Sequence, residues 1–422
     1  MTHFFIFYIL LFFVCVKQKG LKAFTNPLFW LGFFWLLIIG VYFTSGIHYK
    51  YGMSLSLILF LFACIGGFLY YYKKGYHKNV AISNHINGIY TKKWVLIGLI
   101  GTLLFVLDYI RLNGFNLRKE SSEISLIGSI GSLITPILLV VGLYLNAKSM
   151  KKNRTFNAFG IILMMLYGFP CIMNAGREAF LFVILGMLCL LGYKSYLNQG
   201  MKNTIPFKNK VAVFIISCIG FCGMVYVIFL VSMNRFTDNE ISSLLAASDM
   251  DSNSMDEASS WGMFEFIYYN IASYFSHQIP FLDFTLREYH GPFFGGVFEL
   301  NIISRRLPDF LELNYISAYE ELQRLFSKCR EDFSGGWNTV FGSLIIDFTW
   351  IGAVIVSCIC GYYIGIAYKK FTISLDEKYA VLISLICLCS FSTIQLGPFY
   401  QTNLYGAFIW WYYLFKYKKS KI

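Results

Sequence analysis

The chain has 422 residues, of which 57% are hydrophobic, 19% aromatic and 14% charged. This composition excludes an ordinary water-soluble globular protein, because such proteins carry far more charge. The formal net charge is +12, and the basic residues lie mainly in the connections between apolar segments. The charge therefore indicates membrane topology and attraction to anionic lipid rather than nucleic-acid binding.

Apolar segments long enough to cross a membrane recur from one end of the chain to the other. The first of them has no basic residues before it and no small-residue cleavage site after it, so we interpret it as a retained helix rather than a signal peptide. The sequence therefore predicts an all-α, polytopic transmembrane helix bundle of about 11 spans. The predicted spans are roughly 3–16, 27–45, 53–72, 94–110, 126–145, 156–173, 179–197, 211–233, 344–367, 379–395 and 403–416.

The connection between the eighth and ninth predicted spans, Asn234 to Asn338, is much longer than the others. A segment of this length is too long for a simple connector and can build a surface of its own. The sequence therefore divides into spans 1–8 in residues 1–233, a large, partly helical loop in residues 234–338, and spans 9–11 with a tail in residues 339–422.

The basic residues are distributed unevenly between the two sets of loops. The loops that follow odd-numbered spans, together with the C-terminal tail, hold 23 of the 35 lysines and arginines. Because positive charge is retained on the cytoplasmic side of a membrane, we expect the C-terminus inside, and the N-terminus and the long loop outside. The predicted location is a cytoplasmic membrane, which the chain crosses several times.

In this predicted topology, arginine and lysine lie mainly on opposite sides of the membrane, since nine of the ten arginines are on the outer side. Either charge fixes topology, but the planar guanidinium also binds phosphate or carboxylate through two hydrogen bonds. The arginines either pair with outer acidic residues or, as a set, bind an anionic, phosphate-bearing substrate. The candidates are Arg177, Arg235, Arg287, Arg305 and Arg306.

Arg177 lies in the stretch NAGREAFLFVILG, where a long apolar helix should begin. The positive end of the helix dipole disfavours an arginine at that position. Glu178 follows directly, but it points about 100° away on a helix and is a poor partner. Arg177 therefore needs an anion from elsewhere, either a carboxylate of a loop or the phosphate of a substrate.

The second half of the long loop is rich in aromatic residues and amphipathic. It fits either an interfacial helix held by an aromatic belt or a groove in which aromatic rings stack on sugars. The stacking candidates are Trp261, Tyr268, Tyr289 and Trp337. His290 lies in the same region and is either a hydrogen-bonded structural group or a catalytic base.

Asp347 stands alone in a long apolar run. An acid within a span is a functional candidate, for which a partner inside the bundle is expected. The alternative is that it caps a helix beginning near Phe348. Ten of the eleven cysteines lie in or beside the spans without accompanying histidines, so the sequence predicts no metal site and no disulfide framework.

Three features together resemble the Wzy-type polymerases of O-antigen and capsule. They are the outer arginine of NAGREAFLFVILG, the outer loop with IPFLDFTLREYHGPFFGGVFE, and the pattern from Asn338 to Gly352 that contains Asp347 followed by an aromatic residue. Members of that family often have glycine after the Asp–Phe pair, where this chain has Thr349.

The resemblance implies a GT-C type glycosyltransferase. Such an enzyme transfers a growing glycan from undecaprenyl pyrophosphate to a lipid-linked repeat unit at the outer leaflet, without a cofactor. Its implied partners are the lipid-linked donor and acceptor, the bilayer, a chain-length regulator and a flippase, with no nucleic acid. Arginines would stabilise the pyrophosphate leaving group, and Asp347, Glu178 and His290 are the candidate bases. Two alternatives stay open: an O-antigen ligase, and a lipid-linked oligosaccharide flippase or other transporter.

The charge distribution generates a direct test of topology. Reporter fusions at Asn253 and after Tyr417 should report opposite sides of the membrane, with the C-terminal fusion cytoplasmic. If both fusions report the same side, the assignment of the lysine-rich loops to the cytoplasm and the odd number of spans are both wrong.

Overall fold

The structure is a computed structural model of the whole chain. It describes residues 14, 16–18, 20–44, 51–81, 91–114, 125–152, 156–173, 178–198, 275–298, 300, 311, 324, 339–394 and 402–415. Within these ranges every regular element is a helix, which confirms the predicted all-α class.

A short 3-10 helix, Gly20–Thr25, precedes the first long helix. The α-helices, numbered here in chain order, are α1 (Pro27–Thr44), α2 (Leu55–His77), α3 (Thr91–Asn113), α4 (Leu126–Ile134), α5 (Ile137–Lys151), α6 (Ala158–Met173), α7 (Glu178–Leu197), α8 (Gln278–Glu288), α9 (Val340–Ser374), α10 (Glu377–Ser392) and α11 (Thr402–Phe415).

Among the described residues, five helical stretches are long and apolar enough to cross a membrane: Pro27–Thr44, Leu55–His77, Thr91–Leu112, Leu126–Lys151 and Val340–Ser374. These stretches indicate a multi-pass membrane protein. The helices also coincide with most of the other intervals that the sequence predicts as spans. The count of about 11 stays a prediction, because residues 211–233, most of 3–16 and most of the long loop lie outside the described residues.

Helices α5 and α10 form the centre of the described bundle. Most side chains of both are buried, as expected for helices whose apolar residues lie on all sides. Helix α10 packs against α1, α5, α7, α9 and α11, while α5 packs against α3, α6, α7 and α11 as well. By contrast, α2 and α3 expose large apolar side chains such as Phe62 and Leu103, which are suited to a lipid environment.

The longest helix, α9, lies beside α2 along most of its length, and the two run in the same direction. Gly361 and Gly365 are four residues apart on α9, and both face the backbone of α2. A Cβ atom on Gly365 would lie 2.9 Å from the backbone nitrogen of Tyr76. This is the small-residue packing by which membrane helices approach closely without a hydrophobic driving force.

Lysines gather at one end of the described bundle, where each ammonium group lies over an aromatic ring at 4.8–5.8 Å from its centre. The pairs are Lys22 with Tyr196, Lys74 with Tyr71, Lys78 with Tyr362, Lys93 with Trp94, Lys148 with Tyr144, Lys369 with Tyr76 and Lys378 with Tyr379. Such amphipathic pairs are typical of a membrane–water interface.

The acidic residues between α9 and α10 lie at this same end, which we call the lysine end. Lys151 contacts both Asp376 at 3.3 Å and Glu377 at 3.2 Å. Arg111 and Arg287 lie at the opposite, arginine end. Arg111 is in the last turn of α3, whose first turn carries Lys93, and Arg287 lies over Tyr51, which precedes α2. The described residues therefore keep the separation of lysine from arginine that the sequence shows.

The close packing of α2 on α9 predicts a position-dependent effect of adding one methyl group. Gly365→Ala should lower the melting temperature in detergent, because its Cβ would press on the backbone of α2, which cannot give way as a side chain can. Gly66→Ala is the matched control, since its Cβ would meet nothing within 4 Å and alanine favours the helix. Equal melting temperatures for the two variants would contradict this packing.

Candidate functional site

Helix α9 is interrupted at Thr349, which has φ 71° and ψ 172°. This backbone region is essentially restricted to glycine, and a residue with a Cβ atom there costs on the order of 1–3 kcal/mol. Threonine is β-branched and is therefore poorly suited to it. The break divides α9 into a first part that is almost wholly buried and a longer second part that packs on α2.

The interruption leaves backbone carbonyl groups without helical partners, and a loop provides the missing donors. After α8 the chain crosses over the break, where the Phe294 N–H donates to the carbonyl of Ile346 at 3.3 Å. The Gly295 N–H donates to the carbonyl of Asp347 at 2.9 Å. Non-helical backbone at membrane depth is tolerated only where protein or a polar cavity satisfies it. The loop 291–298 therefore seals the break.

Asp347 lies directly before the interruption, and its side chain is buried, with 1% exposure. Its Oδ1 accepts a hydrogen bond from the backbone N–H of Phe298 at 3.0 Å. The hydroxyl of Thr349, rather than the Asp347 carboxylate, accepts from the first turn of the second part, through the Gly352 N–H at 3.4 Å. The loop 291–298 thus provides a buried hydrogen-bond donor to Asp347.

A second buried acid, Asp283, lies on α8 with no exposed surface. Its two oxygens accept from the segment before α2: Gly52 N–H donates to Oδ2 at 3.3 Å and Ser54 Oγ donates to Oδ1. Ser54 is also the N-cap of α2, where its hydroxyl accepts from the Leu57 N–H. Asp283 therefore fixes α8 to the start of α2.

Arg287 follows Asp283 by one helical turn, and its Nη1 lies 3.5 Å from Asp283 Oδ2. The guanidinium also lies over the ring of Tyr51, 5.6 Å from its centre. Nearly half of the Arg287 side chain is exposed, at 48%. The predicted anion-binding arginine is thus held on two sides and open on another.

The same construction occurs once more at the arginine end. Asp108 on α3 is buried and accepts from the Ser125 N–H at 3.0 Å and the Ser125 hydroxyl at 2.6 Å. Ser125 caps α4, and Arg111 lies 2.9 Å from the Asp108 carboxylate. This junction joins α3 to α4, whereas the Asp283 junction joins α8 to α2 and lies against α9.

His290 and Tyr289 stand at the end of α8, where the sealing loop begins. His290 is exposed, so it is accessible to a ligand. Tyr289 is buried, donates its hydroxyl hydrogen to the carbonyl of Pro292, and packs edge to face on Phe293. Its stacking role stays a prediction. The structure thus brings Arg287, Tyr289, His290 and Asp347 into one region built from α8, the loop and α9.

The remaining candidates are not placed with them. Glu178 is the first residue of α7, but its side chain is not described. The others lie outside the described residues: Arg177, Arg235, Arg305, Arg306, Trp261, Tyr268 and Trp337.

Sequence reasoning missed Asp283 and Asp108, although each left a signal. Both acids have apolar neighbours on either side, and each has an arginine three or four residues later on the same helix. That spacing places acid and base on one helical face. Their other partners, Ser54 and Ser125, become visible only in the fold.

Comparison of the chain with family models, with curated proteins and with solved structures finds no match. The sequence resemblance therefore stands on the residues quoted for it.

The backbone of Thr349 predicts a reversal of the usual helix preference. Thr349→Gly should give a higher melting temperature than Thr349→Ala, because only glycine removes the strain at φ 71°. Position 355 is exposed on the same helix and serves as the control. There Ile355→Ala should be more stable than Ile355→Gly, by roughly 0.5–1 kcal/mol. If alanine is preferred at both positions, the interruption at Thr349 is not present.

Proposed function

We propose that this chain joins undecaprenyl-pyrophosphate-linked oligosaccharide repeat units into O-antigen or capsular polysaccharide. The reaction takes place at the outer face of a bacterial cytoplasmic membrane, with the N-terminus outside and the C-terminus in the cytoplasm. The observation that carries the proposal is a buried acid, Asp347, at a break in a membrane-length helix, at the end of the bundle where arginines lie. Intramembrane acids and interrupted helices both mark functional sites.

The sidedness of the bundle supports this location. Because cytoplasmic loops carry an excess of positive charge, we assign the lysine end to the cytoplasm and the arginine end to the outer face. Nucleotide sugars are cytoplasmic and do not supply a donor there. A lipid-linked pyrophosphate is a donor that is anchored at the outer leaflet.

The chemistry requires one bond to form and one to break. The oxygen of an acceptor sugar hydroxyl attacks the anomeric carbon of the donor, while the bond between that carbon and the pyrophosphate oxygen breaks. The hydroxyl proton passes to a base, and the electron pair leaves with the lipid pyrophosphate. Arginines at the developing negative charge stabilise this step, and Arg287 is the described candidate.

The candidate bases in the described part of the chain differ in how readily an acceptor hydroxyl can reach them. His290 is exposed at the start of the sealing loop. Asp347 is buried beneath that loop, so it reaches an acceptor hydroxyl only if the loop 291–298 moves. Glu178 remains a third candidate for the proton acceptor.

A transporter of the same lipid-linked glycans is the second candidate, and the interruption of α9 favours it. Discontinuous helices at the substrate site are common in secondary transporters. The polymerase is preferred because Arg111 and Arg287 lie with the buried Asp108, Asp283 and Asp347 at one end of the described bundle rather than halfway along it.

Purified protein in liposomes decides between the two candidates. With lipid-linked repeat units and no energy source, we expect longer lipid-linked glycans. Asp347→Asn keeps an oxygen that accepts from Phe298, so it should fold, but it should lose most elongation if Asp347 is the base. Arg177→Lys should also lose most elongation, because lysine does not bind phosphate in the bidentate manner.

Movement of unextended substrate across the bilayer, without elongation, would exclude the polymerase and support the transporter. Elongation close to that of the wild type by Arg177→Lys would reduce Arg177 to a structural ion pair. Full activity of Asp347→Asn would exclude Asp347 as the base.

A further inference from the structure

We propose that Asp283 is a positioning residue for Arg287, and that it holds this guanidinium at the outer start of α2 to bind the pyrophosphate of the lipid-linked substrate. The proposal rests on the proposed function for the identity of the ligand. The arrangement itself is given by the contacts among α8, Tyr51, Gly52 and Ser54.

The first step concerns how the buried charge of Asp283 is stabilised. A carboxylate with no exposed surface is costly unless hydrogen bonds and opposite charge compensate it. The Gly52 N–H and the Ser54 hydroxyl occupy one oxygen each. The positive end of the α2 dipole adds to this stabilisation. The fold therefore satisfies Asp283 without a close contact to Arg287.

The second step concerns Arg287. Only its Nη1 approaches Asp283, at 3.5 Å, and a half-exposed pair of this kind contributes little to stability. The Tyr51 ring supports a second side of the guanidinium. In the described part of the chain, its other N–H groups make no hydrogen bond. They remain available as a planar set of donors, which suits phosphate oxygens.

The third step is the comparison with the other arginine-end junction. There Arg111 contacts Asp108 at 2.9 Å, and no aromatic ring lies beneath its guanidinium among the described contacts. Helix α3 packs on α4, α5 and α6, away from the break. Helix α8 instead packs on α9, and the chain that follows it bonds to Asp347. Arg287 therefore belongs to the region of the interrupted helix.

The experiment uses the full chain in lipid nanodiscs, with inorganic pyrophosphate as the probe. Calorimetry measures its dissociation constant for the wild type, Arg287→Lys, Asp283→Asn and the double variant. Each single variant should weaken binding on the order of tenfold, the value of one charge-assisted interaction. The double variant should be little weaker than either single one, because both changes remove one positioned guanidinium.

Two further variants keep the result interpretable if Asp283→Asn fails to fold. Tyr51→Leu removes the supporting ring without touching the buried carboxylate, so it too should weaken pyrophosphate binding. Arg111→Lys is the matched control, and it should bind pyrophosphate as the wild type does. In elongation assays, Asp283→Asn should raise the donor KM more than it lowers kcat.

The outcomes separate this inference from the proposed function. Pyrophosphate binding that depends on Asp283, in a protein that does not elongate glycans, would support the inference and contradict the polymerase. Elongation with pyrophosphate binding that is unchanged in Arg287→Lys and Tyr51→Leu would overturn the inference alone. Additive losses in the double variant, or equal losses in Arg111→Lys, would overturn it as well.

Discussion

The arrangement of the arginine end depends on one constraint, the need to satisfy backbone groups that the interruption of α9 releases. A continuous helix satisfies its own carbonyls, but a break inside a membrane-length helix does not. Here the N–H groups of Phe294 and Gly295 replace the lost donors, and Asp347 accepts from Phe298. The loop, the acid and the break are therefore joined by three hydrogen bonds.

The two parts of α9 are held by different neighbours. The second part is fixed against α2 through Gly361 and Gly365. The first part is fixed by the sealing loop and by the end of α10, where the Val340 N–H donates to the Thr393 carbonyl at 2.9 Å. Trp35 of α1 also contacts the ring of Phe341, 5.0 Å between ring centres. Thr349 is thus the point at which two separately anchored segments meet.

The sealed break and the junction of α8 with α2 place charged side chains in the interior of the bundle, where membrane proteins rarely have them. Asp283 and Asp347 are both buried, and each is satisfied by backbone N–H groups from a different chain segment. Arg287 adds a cation that is held but still exposed. The proposed substrate has a charged head group and a lipid tail, and exposed apolar side chains for such a tail cover α2 and the second part of α9.

The sequence predicted the helices well, because a long apolar run records burial in lipid directly. The intervals 27–45 and 53–72 correspond closely to α1 and α2. Asp347 was singled out for the same reason, as a charge in an apolar run. Its partner could not be predicted, because Phe298 lies 49 residues earlier and donates through its backbone. The break at Thr349 could not be predicted from this chain, since threonine gives no signal of positive φ. The one hint is that the Wzy-type pattern, which the chain resembles, often has glycine at this position.

The loop 291–298 is bound to the interruption of α9 through Asp347, and this attachment is directly measurable. Hydrogen exchange of the purified protein, followed by mass spectrometry, tests it most directly. We expect slow exchange at the amides of Phe294, Gly295 and Phe298 in the wild type. In Asp347→Ala that protection should fall, while α10 stays protected. Exchange of these three amides in the wild type at the rate of an unstructured peptide would contradict the account.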